Sequence, residues 1–339
     1  MTLSKPNRRT FLKTSAGAAA ATTIGAPFIA KGAFLHELSF ASLAPEGSDW
    51  DKEFKRTRKE IEEATAGAVK IKIYAGGVMG DEPAMIRKIR TGQLTGAAVT
   101  SVGLAQINKA ALALQLPLLF KNTKQLDYVR NAMSPTFAKL FEEGGFKQQL
   151  WGDVGEAYIF SQKAASKPAD LKDSKFWVWN ADFVMKETAK AAGINGVELD
   201  VPDVLPSLQT GLINAFTSSP YAAIALQWYT KATHVTNLKL AMAVGASVMS
   251  LEKWNSLEDD IKAIFEKVLA ESQPRLLKRI RRANAKATAT LQEKGITVVE
   301  PEDIVAWSSV AMTVKNKLTG KMFSKELMAE IDKHIKASK

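Results

Sequence analysis

The residues with the clearest chemical potential in this sequence are aromatic, and they lie between Pro168 and Pro220. The apolar run Phe176–Trp179 is typical of a short strand, in which side chains alternate between two faces, so Trp177 and Trp179 share one face. An indole ring offers one N–H donor and a broad apolar surface, which indicates non-covalent binding of an apolar ligand. The alternative is that both tryptophans simply pack in the core.

Other chemistries find little support in the residue types. The chain contains no cysteine, which excludes disulfides, thiolate metal sites and a thiol nucleophile. Its three histidines, His36, His234 and His334, are isolated in sequence and lack the spacing of metal ligands. The sequence also has no Gly-x-Ser-x-Gly motif and no dinucleotide-binding fingerprint. We therefore predict no catalytic residue, no metal site and no cofactor.

Strands and helices that alternate along the chain must position the aromatic residues. Short apolar runs, helical patterns and Gly/Pro turns follow one another, which predicts α/β layers with largely parallel sheets. A chain of 339 residues is long enough for two domains with cores of their own. Because no window reaches eighteen consecutive apolar residues, we expect the mature protein to be soluble.

Two further patterns bear on the architecture. Residues 147–151 and 158–161 are predicted to form separate strands, near a point where the chain crosses between domains. A long helix is predicted to start from an N-cap at Ser256 and to reach Gln292, with a kink or break at Pro274. Four basic residues of this helix are predicted to form a solvated face, with a docking patch for an acidic partner as the alternative. These residues are Lys278, Arg279, Arg281 and Arg282.

Two motifs in the aromatic region resemble the solute-binding proteins of TRAP (tripartite ATP-independent periplasmic) transporters. Residues 170–178, DLKDSKFWV, are similar to the dLKGlKIRV strand of that family, and residues 208–215, LQTGLINA, are similar to its LQTGvvDg turn. The arginine with which the family grips a substrate carboxylate falls on Trp177 in this chain. Asn214 replaces the usual acid of the turn, and Ala157 lies near the position where many members have a second arginine. The resemblance therefore implies the family fold, whereas the departures predict a change of ligand.

The fold that the resemblance implies is α/β, with two domains like those of periplasmic binding proteins. Mostly parallel sheets, a long domain-spanning helix and a ligand cleft between the domains belong to this expectation. By the family pattern we place domain I at residues 33–155 plus 240–282, and domain II at residues 156–239 plus 283–339.

We expect ten residues to form the ligand site. The Trp177 and Trp179 face is assigned to the cleft because Trp177 stands where the family has its arginine. Gly80 and Ser101 are included because the segments around them border the cleft in the family, and small polar side chains are included because they orient an otherwise apolar ligand. The ten residues are Trp177, Trp179, Asn180, Phe216, Ser218, Tyr221, Trp151, Tyr158, Gly80 and Ser101.

The N-terminal residues predict export. Residues 7–13, NRRTFLK, match the twin-arginine pattern and precede a weakly apolar Ala/Gly/Thr stretch. We predict a twin-arginine signal peptide over residues 1–32 and a periplasmic location. Without this segment the chain holds 41 basic and 35 acidic residues, a net charge of about +6. Because no nucleic-acid-binding motif accompanies this mild charge, no nucleic-acid partner is expected.

We favour a periplasmic receptor that closes on a small hydrophobic or aromatic ligand and delivers it to integral-membrane TRAP permease subunits. One alternative is an organic acid held by Arg87 or by backbone N–H donors instead of the usual arginine. Another is an exported enzyme, for which Asp81 and Glu82 are weak acid–base candidates. A third is a receptor that signals to a sensor protein. The protein is expected to be a monomer or a homodimer.

Overall fold

The computed structural model describes residues 36–338, and the signal peptide predicted over residues 1–32 lies outside this range. Nine strands of the described residues form one sheet. The strands are β1 (His36–Ser42), β2 (Val69–Tyr74), β3 (Gly96–Thr100), β4 (Phe146–Ser161), β5 (Phe176–Trp179), β6 (Gly196–Leu199), β7 (Ala215–Ser218), β8 (His234–Ser250) and β9 (Thr297–Val299).

Helices connect the strands, and side-chain oxygens cap many of them. Ser48 Oγ accepts the N–H of Asp51 at the first helix, for example, and so satisfies a donor that lacks an intrahelical partner. Within residues 36–338, no helix has the length and apolar character needed to cross a membrane. The helices are α1 (Asp49–Ala64), α2 (Glu82–Arg90), α3 (Ser101–Leu104), α4 (Thr123–Glu143), α5 (Phe183–Ala191), α6 (Val201–Thr210), α7 (Pro220–Ala225), α8 (Leu251–Asn255), α9 (Asp259–Glu293), α10 (Ile304–Leu318) and α11 (Lys325–Ala337). Short 3-10 helices cover Lys109–Gln115, Pro168–Leu171 and Trp228–Lys231.

The sheet has two parallel ends joined by two long antiparallel strands. Its order is β2-β1-β3-β8-β4-β7-β5-β6, and β9 pairs with the first residues of β8. β1 is parallel to β2 and β3 at one end, and β5 is parallel to β6 and β7 at the other. β4 and β8 run through both ends and pair with each other along their lengths. This arrangement confirms the predicted α/β fold with mostly parallel strands.

The prediction of two separate strands at residues 147–151 and 158–161 is wrong, because both belong to β4. The register of β4 against β8 shifts at three places, one of them between Asp153 and Gly155. Gly155 has φ +131°, and a Cβ atom there would lie 2.6 Å from Asn284 Nδ2 of α9. Such bulges interrupt the alternation of side chains while the strand pairing continues, so the sequence pattern breaks where the strand does not.

Helix α9 also differs from its prediction. Ser256 ends α8, and α9 begins at Asp259 after Glu258 in the N-cap position, so the predicted start is wrong. The helix continues through Pro274 to Glu293 over 35 residues, which rules out the predicted break. Buried side chains recur on both sides of Pro274, and their packing offsets the hydrogen bond that proline cannot make. The long helix of the predicted fold is thereby confirmed.

The basic cluster of α9 is only partly a solvated face. Lys278 and Arg282 are exposed, as predicted. Arg281, however, lies 2.7 Å from carboxylate oxygens of both Asp127 and Asp153. Arg130, which is almost fully buried, lies 2.6 Å from the other oxygen of Asp153 and 2.7 Å from Asp127. These four side chains form a network that joins α9 to α4 and β4, so the solvated-face prediction is wrong for Arg281.

Arg279 is the second exception in this cluster. Its guanidinium pairs with Asp49 at 3.2 Å and with Glu53 at 3.3 Å, both on α1. The solvated-face prediction is therefore wrong for Arg279 as well, and the docking-patch alternative loses the two arginines whose charges are already matched.

The two faces of β5 enter different parts of the core. Trp177 and Trp179 pack in one apolar cluster, whereas Phe176 and Val178 pack in another. The alternation expected from the sequence therefore holds in the structure. The domain boundaries near residues 155, 240 and 282 stay a prediction.

Candidate ligand-binding site

A cavity of about 220 Å³ lies where the two ends of the sheet meet. Trp50, Glu82 and Thr100 line it from the side predicted as domain I. Trp179 and Ser218 line it from the side predicted as domain II, and segments of β4 and β8 form its floor. The cavity thus occupies the position expected for a cleft between two domains.

Three tryptophans form the tryptophan wall of this cavity: Trp177, Trp179 and Trp228. The ring centroids of Trp177 and Trp179 are 6.3 Å apart and nearly stacked, and Trp228 meets Trp177 edge-on at 5.0 Å. Trp177 Nε1 donates to the Leu199 carbonyl at 3.1 Å, and Trp179 Nε1 donates to Asp81 Oδ2 at 2.6 Å. Because both N–H groups are already bonded, these two residues offer a ligand mainly apolar ring surface.

Of the ten residues predicted for the site, the structure places Trp177, Trp179 and Ser218 on the cavity. Asn180 is exposed just beyond the end of β5. Phe216 stacks on Phe160 at 5.1 Å, and supports the tryptophan wall from behind.

The remaining five lie outside the cavity lining. Trp151 packs edge-on against Phe137, Tyr158 donates to Glu156 at 2.9 Å, and Ser101 donates to the Val244 carbonyl. Tyr221 accepts the Asp49 N–H at 2.6 Å, and Gly80 occupies the turn before α2 with φ +91°. Ligand contact by any of the ten stays a prediction. The five are Trp151, Tyr158, Ser101, Tyr221 and Gly80.

The prediction omitted several residues that do line the cavity. Trp50 falls in the apolar stripe of α1, where it is indistinguishable from an ordinary core residue. Asp182 carries only the signal of a helix cap, and Gln115 carries none. Trp228 lies close in sequence to the predicted site, and its aromatic side chain is the one signal that could have identified it.

Two buried carboxyl groups face this cavity without a basic partner. Glu82 accepts the N–H groups of Thr100 and Gly103 and the Thr100 hydroxyl, at 2.7–2.8 Å. Complete burial nevertheless raises the pKa of Glu82 to about 8. Asp182 accepts from Gln115 Nε2 at 2.7 Å and from the Met185 N–H at 2.9 Å, and burial raises the pKa of Asp182 to about 6.

All the ionisable side chains on the cavity lining are acidic. Asp153 is the third carboxylate on it, but both of its oxygens are bonded to Arg130 and Arg281, which neutralise it. Among the residues of the described chain that line the cavity, there is no lysine, arginine or histidine. Arg87, the alternative anion anchor, is exposed on α2 and does not line it either.

Several hydrogen bonds cross between the parts predicted as domains I and II, and three of them involve residues already described. Asp81 accepts from Trp179, the Asp49 N–H donates to Tyr221 Oη, and Gln115 donates to Asp182. Of the six residues in these bonds, Trp179, Gln115 and Asp182 line the cavity. Two ends of a sheet joined by long strands and a long helix, with a cavity between them, define the class of two-domain periplasmic solute-binding proteins.

Comparison with known proteins assigns the family within this class. The family model for bacterial extracellular solute-binding protein, family 7, matches residues 40–324, and the chain belongs to this family. A twin-arginine translocation signal sequence matches residues 5–25, which confirms the predicted export route and periplasmic location.

Individual relatives are distant in sequence and close in fold. A solute-binding protein of Chromohalobacter salexigens is 27% identical over 218 residues, which are 61% of this chain and 62% of that protein, less than two thirds of its length. A TRAP periplasmic solute-binding protein from Citrobacter koseri, solved with bound D-glucuronate, has a TM-score of 0.81 and 22% identity over 88% of this chain and 99% of its own. One from Desulfovibrio salexigens, with bound orotic acid, has a TM-score of 0.83 and 17% identity over 89% and 99%. The resemblance to TRAP solute-binding proteins is confirmed.

Proposed function

We propose that this protein is the receptor of a TRAP-type transporter, which closes on a small apolar or aromatic ligand and delivers it to integral-membrane permease subunits. The observation that carries the proposal is a cavity of about 220 Å³ with a wall of three tryptophans and no basic side chain on its lining, among the residues described. Family membership supports the receptor role.

The proposed ligand class follows from the tryptophan that stands at the position of the family's arginine. Carboxylates are recognised best by arginine, because its planar guanidinium donates two parallel hydrogen bonds to the two carboxylate oxygens. In this chain that motif position is Trp177, whose ring is almost fully buried beside the cavity. Burying a ligand ring of about 150 Å² against such a surface contributes about 4 kcal/mol at about 25 cal/mol per Å². Apolar contact therefore substitutes for the ion pair as the main source of affinity.

Closure of the two domains over the ligand is the second part of the proposal. The hydrogen bonds between the two predicted domains support it, because the 2.6 Å bond between Asp49 and Tyr221 requires both parts to be close together. A ligand that fills the cavity selects this closed state, which is the form a permease subunit would recognise.

The test is to purify the protein from its native periplasm and to identify the bound compound in the organic extract by mass spectrometry. An apolar or aromatic compound is expected, and Trp177→Ala should lose it. Trp254→Ala is the matched control, because Trp254 is equally buried but lies in another apolar cluster, against Phe265. Recovery of a small dicarboxylate or sugar acid would contradict the proposed ligand class.

An organic acid is the second candidate, since the solved neighbours were crystallised with D-glucuronate and orotic acid. One observation favours it in this chain. A smaller cavity of about 70 Å³ shares Ser42 and Phe54 with the main one and is lined by Arg58, whose buried Nε has no hydrogen-bond partner among the described residues. Loss of the extracted compound in Arg58→Ala would favour an acid held there.

A transport receptor and a signalling receptor can be distinguished by what happens to ligand uptake when the gene is deleted. If the protein delivers its ligand to a permease, deletion of the gene should abolish uptake of the extracted compound. Undiminished uptake would contradict the transport role and favour a signalling receptor. The exported-enzyme alternative finds no support in the family assignment.

A further inference from the structure

We propose that the ligand carries a positive charge, as a protonated amine or a quaternary ammonium group on an apolar body. The inference rests on the proposed function, because it names the ligand class of the same cavity. Its basis is the juxtaposition of the tryptophan wall with buried carboxyl groups, on a lining that includes no basic side chain within the described residues.

Two of the carboxyl groups that line the cavity are not paired with a basic side chain. Asp153 is matched by two arginines, but Glu82 and Asp182 receive hydrogen bonds only from uncharged donors. Lys186 lies near Asp182, yet its ammonium forms an ion pair with Glu198. Both buried acids thus lack a counter-ion. Asp182, with a pKa of about 6, is ionised at neutral pH, so an anionic ligand would be repelled there and a cationic one would be stabilised. Glu82, with a pKa of about 8, is mostly protonated until a cation lies beside it.

The aromatic rings favour the same charge. A cation is attracted to the face of an aromatic ring, and tryptophan attracts it most strongly, by about 2 kcal/mol or more where water is excluded. Trp177, Trp179 and Trp228 are each less than a tenth exposed. Cages of aromatic rings are the usual surroundings of a bound quaternary ammonium group.

An unpartnered hydroxyl is an independent sign that the cavity is built for a polar group. Ser42 lines the cavity and is only 3% exposed, and its Oγ has no hydrogen-bond partner among the described residues. Buried hydroxyls are normally bonded, so an orphan beside a cavity indicates a missing partner. The N–H group of a protonated amine would supply it, whereas a quaternary ammonium group has no N–H to donate.

The opposite charge is favoured only at the edge of the site. Arg58 lines the smaller adjoining cavity and would attract an anion. The two ligand charges therefore predict dependence on different residues, namely Asp182 for a cation and Arg58 for an anion.

The experiment measures calorimetric binding of four probes of similar shape to the mature protein: phenethylamine, benzyltrimethylammonium, 2-phenylethanol and 3-phenylpropionate. The two cations should bind at least tenfold more tightly than the neutral alcohol, and the carboxylate should bind most weakly. Asp182→Asn should weaken the cations at least tenfold and the alcohol less than twofold. Asp170→Asn is the control, because Asp170 accepts the Ser166 N–H at an exposed site outside the cavity.

Asp182→Ser, whose hydroxyl can still cap α5, provides a second variant in case Asp182→Asn does not fold, and it should weaken the cations to the same extent. Equal binding of the alcohol and the cations would overturn the inference and leave the proposed apolar receptor standing. Tightest binding of the carboxylate, lost in Arg58→Ala, would overturn both. Failure of all four probes to bind at millimolar concentration would also overturn both.

Discussion

Substitution of a single residue, Trp228, tests whether the tryptophan wall only packs in the core or also binds a ligand. Trp228 meets Trp177 and Phe216 edge-on, at centroid distances of 5.0 and 5.6 Å. We expect Trp228→Ala to lower the free energy of unfolding by about 3–5 kcal/mol and to weaken phenethylamine binding at least tenfold. Urea denaturation and calorimetry measure the two effects.

Trp307→Ala is the control for this substitution. Trp307 is 2% exposed and donates to the Ser166 carbonyl in a separate apolar cluster, away from the cavity. It should cost similar stability and change binding less than twofold. If the two variants weaken binding equally, the tryptophan wall acts through folding alone.

Glu82 makes the stability of the protein depend on pH. Burial and the neighbouring Asp81 raise the pKa of Glu82 to about 8, above its ordinary value near 4.5, although Thr100 and Gly103 donate to it. Between these values the folded protein retains a proton that the unfolded chain releases, so the free energy of unfolding falls as the pH rises. The slope is at most about 1.4 kcal/mol per pH unit.

Chemical denaturation between pH 6.5 and 8 checks this expectation, since the pKa of Asp182 is about 6 and that group titrates mostly below the interval. Glu82→Gln removes the titrating group, and its stability should depend less on pH than that of the natural protein. Identical slopes in the two proteins would show that Glu82 is ionised throughout.

Among the secondary-structure elements, α9, α4 and β4 depend on one ion network. Asp153 of β4 bonds both Arg130 of α4 and Arg281 of α9. Asp153→Asn leaves the buried Arg130 with half of its compensation, which costs about 3–5 kcal/mol of stability. The matched control is Glu63→Gln, at an exposed pair with Lys59, where less than about 1 kcal/mol is expected.

The measurement is the urea midpoint of each variant with its slope. A loss for Asp153→Asn as small as that for Glu63→Gln would mean that water reaches Arg130 and replaces the missing charge.

The elements themselves were largely predictable, because each depends on neighbours close in sequence. β2 follows the alternation of residues 69–74, and α1 begins directly after its cap at Ser48. The continuity of β4 was not predictable, because the residues that pair with it through its bulges lie about 80 to 100 positions away in β8.

The site was predictable only where a motif marked it. Trp177 and Trp179 were found from the strand that carries them, whereas Asp182 and Gln115 lie on the same cavity through a contact between residues 67 positions apart. The sequence order contains no signal for such a contact. The acidic character of the cavity therefore emerged only from the structure.

For the whole molecule, we expect the proposed closure to depend on contacts such as that of Tyr221. Its hydroxyl accepts the Asp49 N–H at 2.6 Å, and its ring lies 4.7 Å from Trp50. Tyr221→Phe keeps the ring contact and removes the hydrogen bond, which should cost the closed state about 0.5–1.5 kcal/mol and weaken ligand binding about two- to twelvefold.

Calorimetry measures that affinity, and small-angle X-ray scattering of the ligand-free protein should show a larger radius of gyration in the variant. Tyr128→Phe on α4 is the control, because Tyr128 is half-exposed and does not line the cavity. An unchanged affinity in Tyr221→Phe would mean that closure does not depend on this bond.

The position of β8 in the sheet also determines when the chain can fold relative to its synthesis. β8 is inserted between β3 and β4, so neither of those strands has its full set of partners until residue 250 has left the ribosome. The sheet therefore cannot be completed on the β3 side or on the β4 side before β8 has been synthesised. Such a chain matures only once it is essentially complete, which suits the twin-arginine route, because that route carries proteins already folded before they leave the cytoplasm.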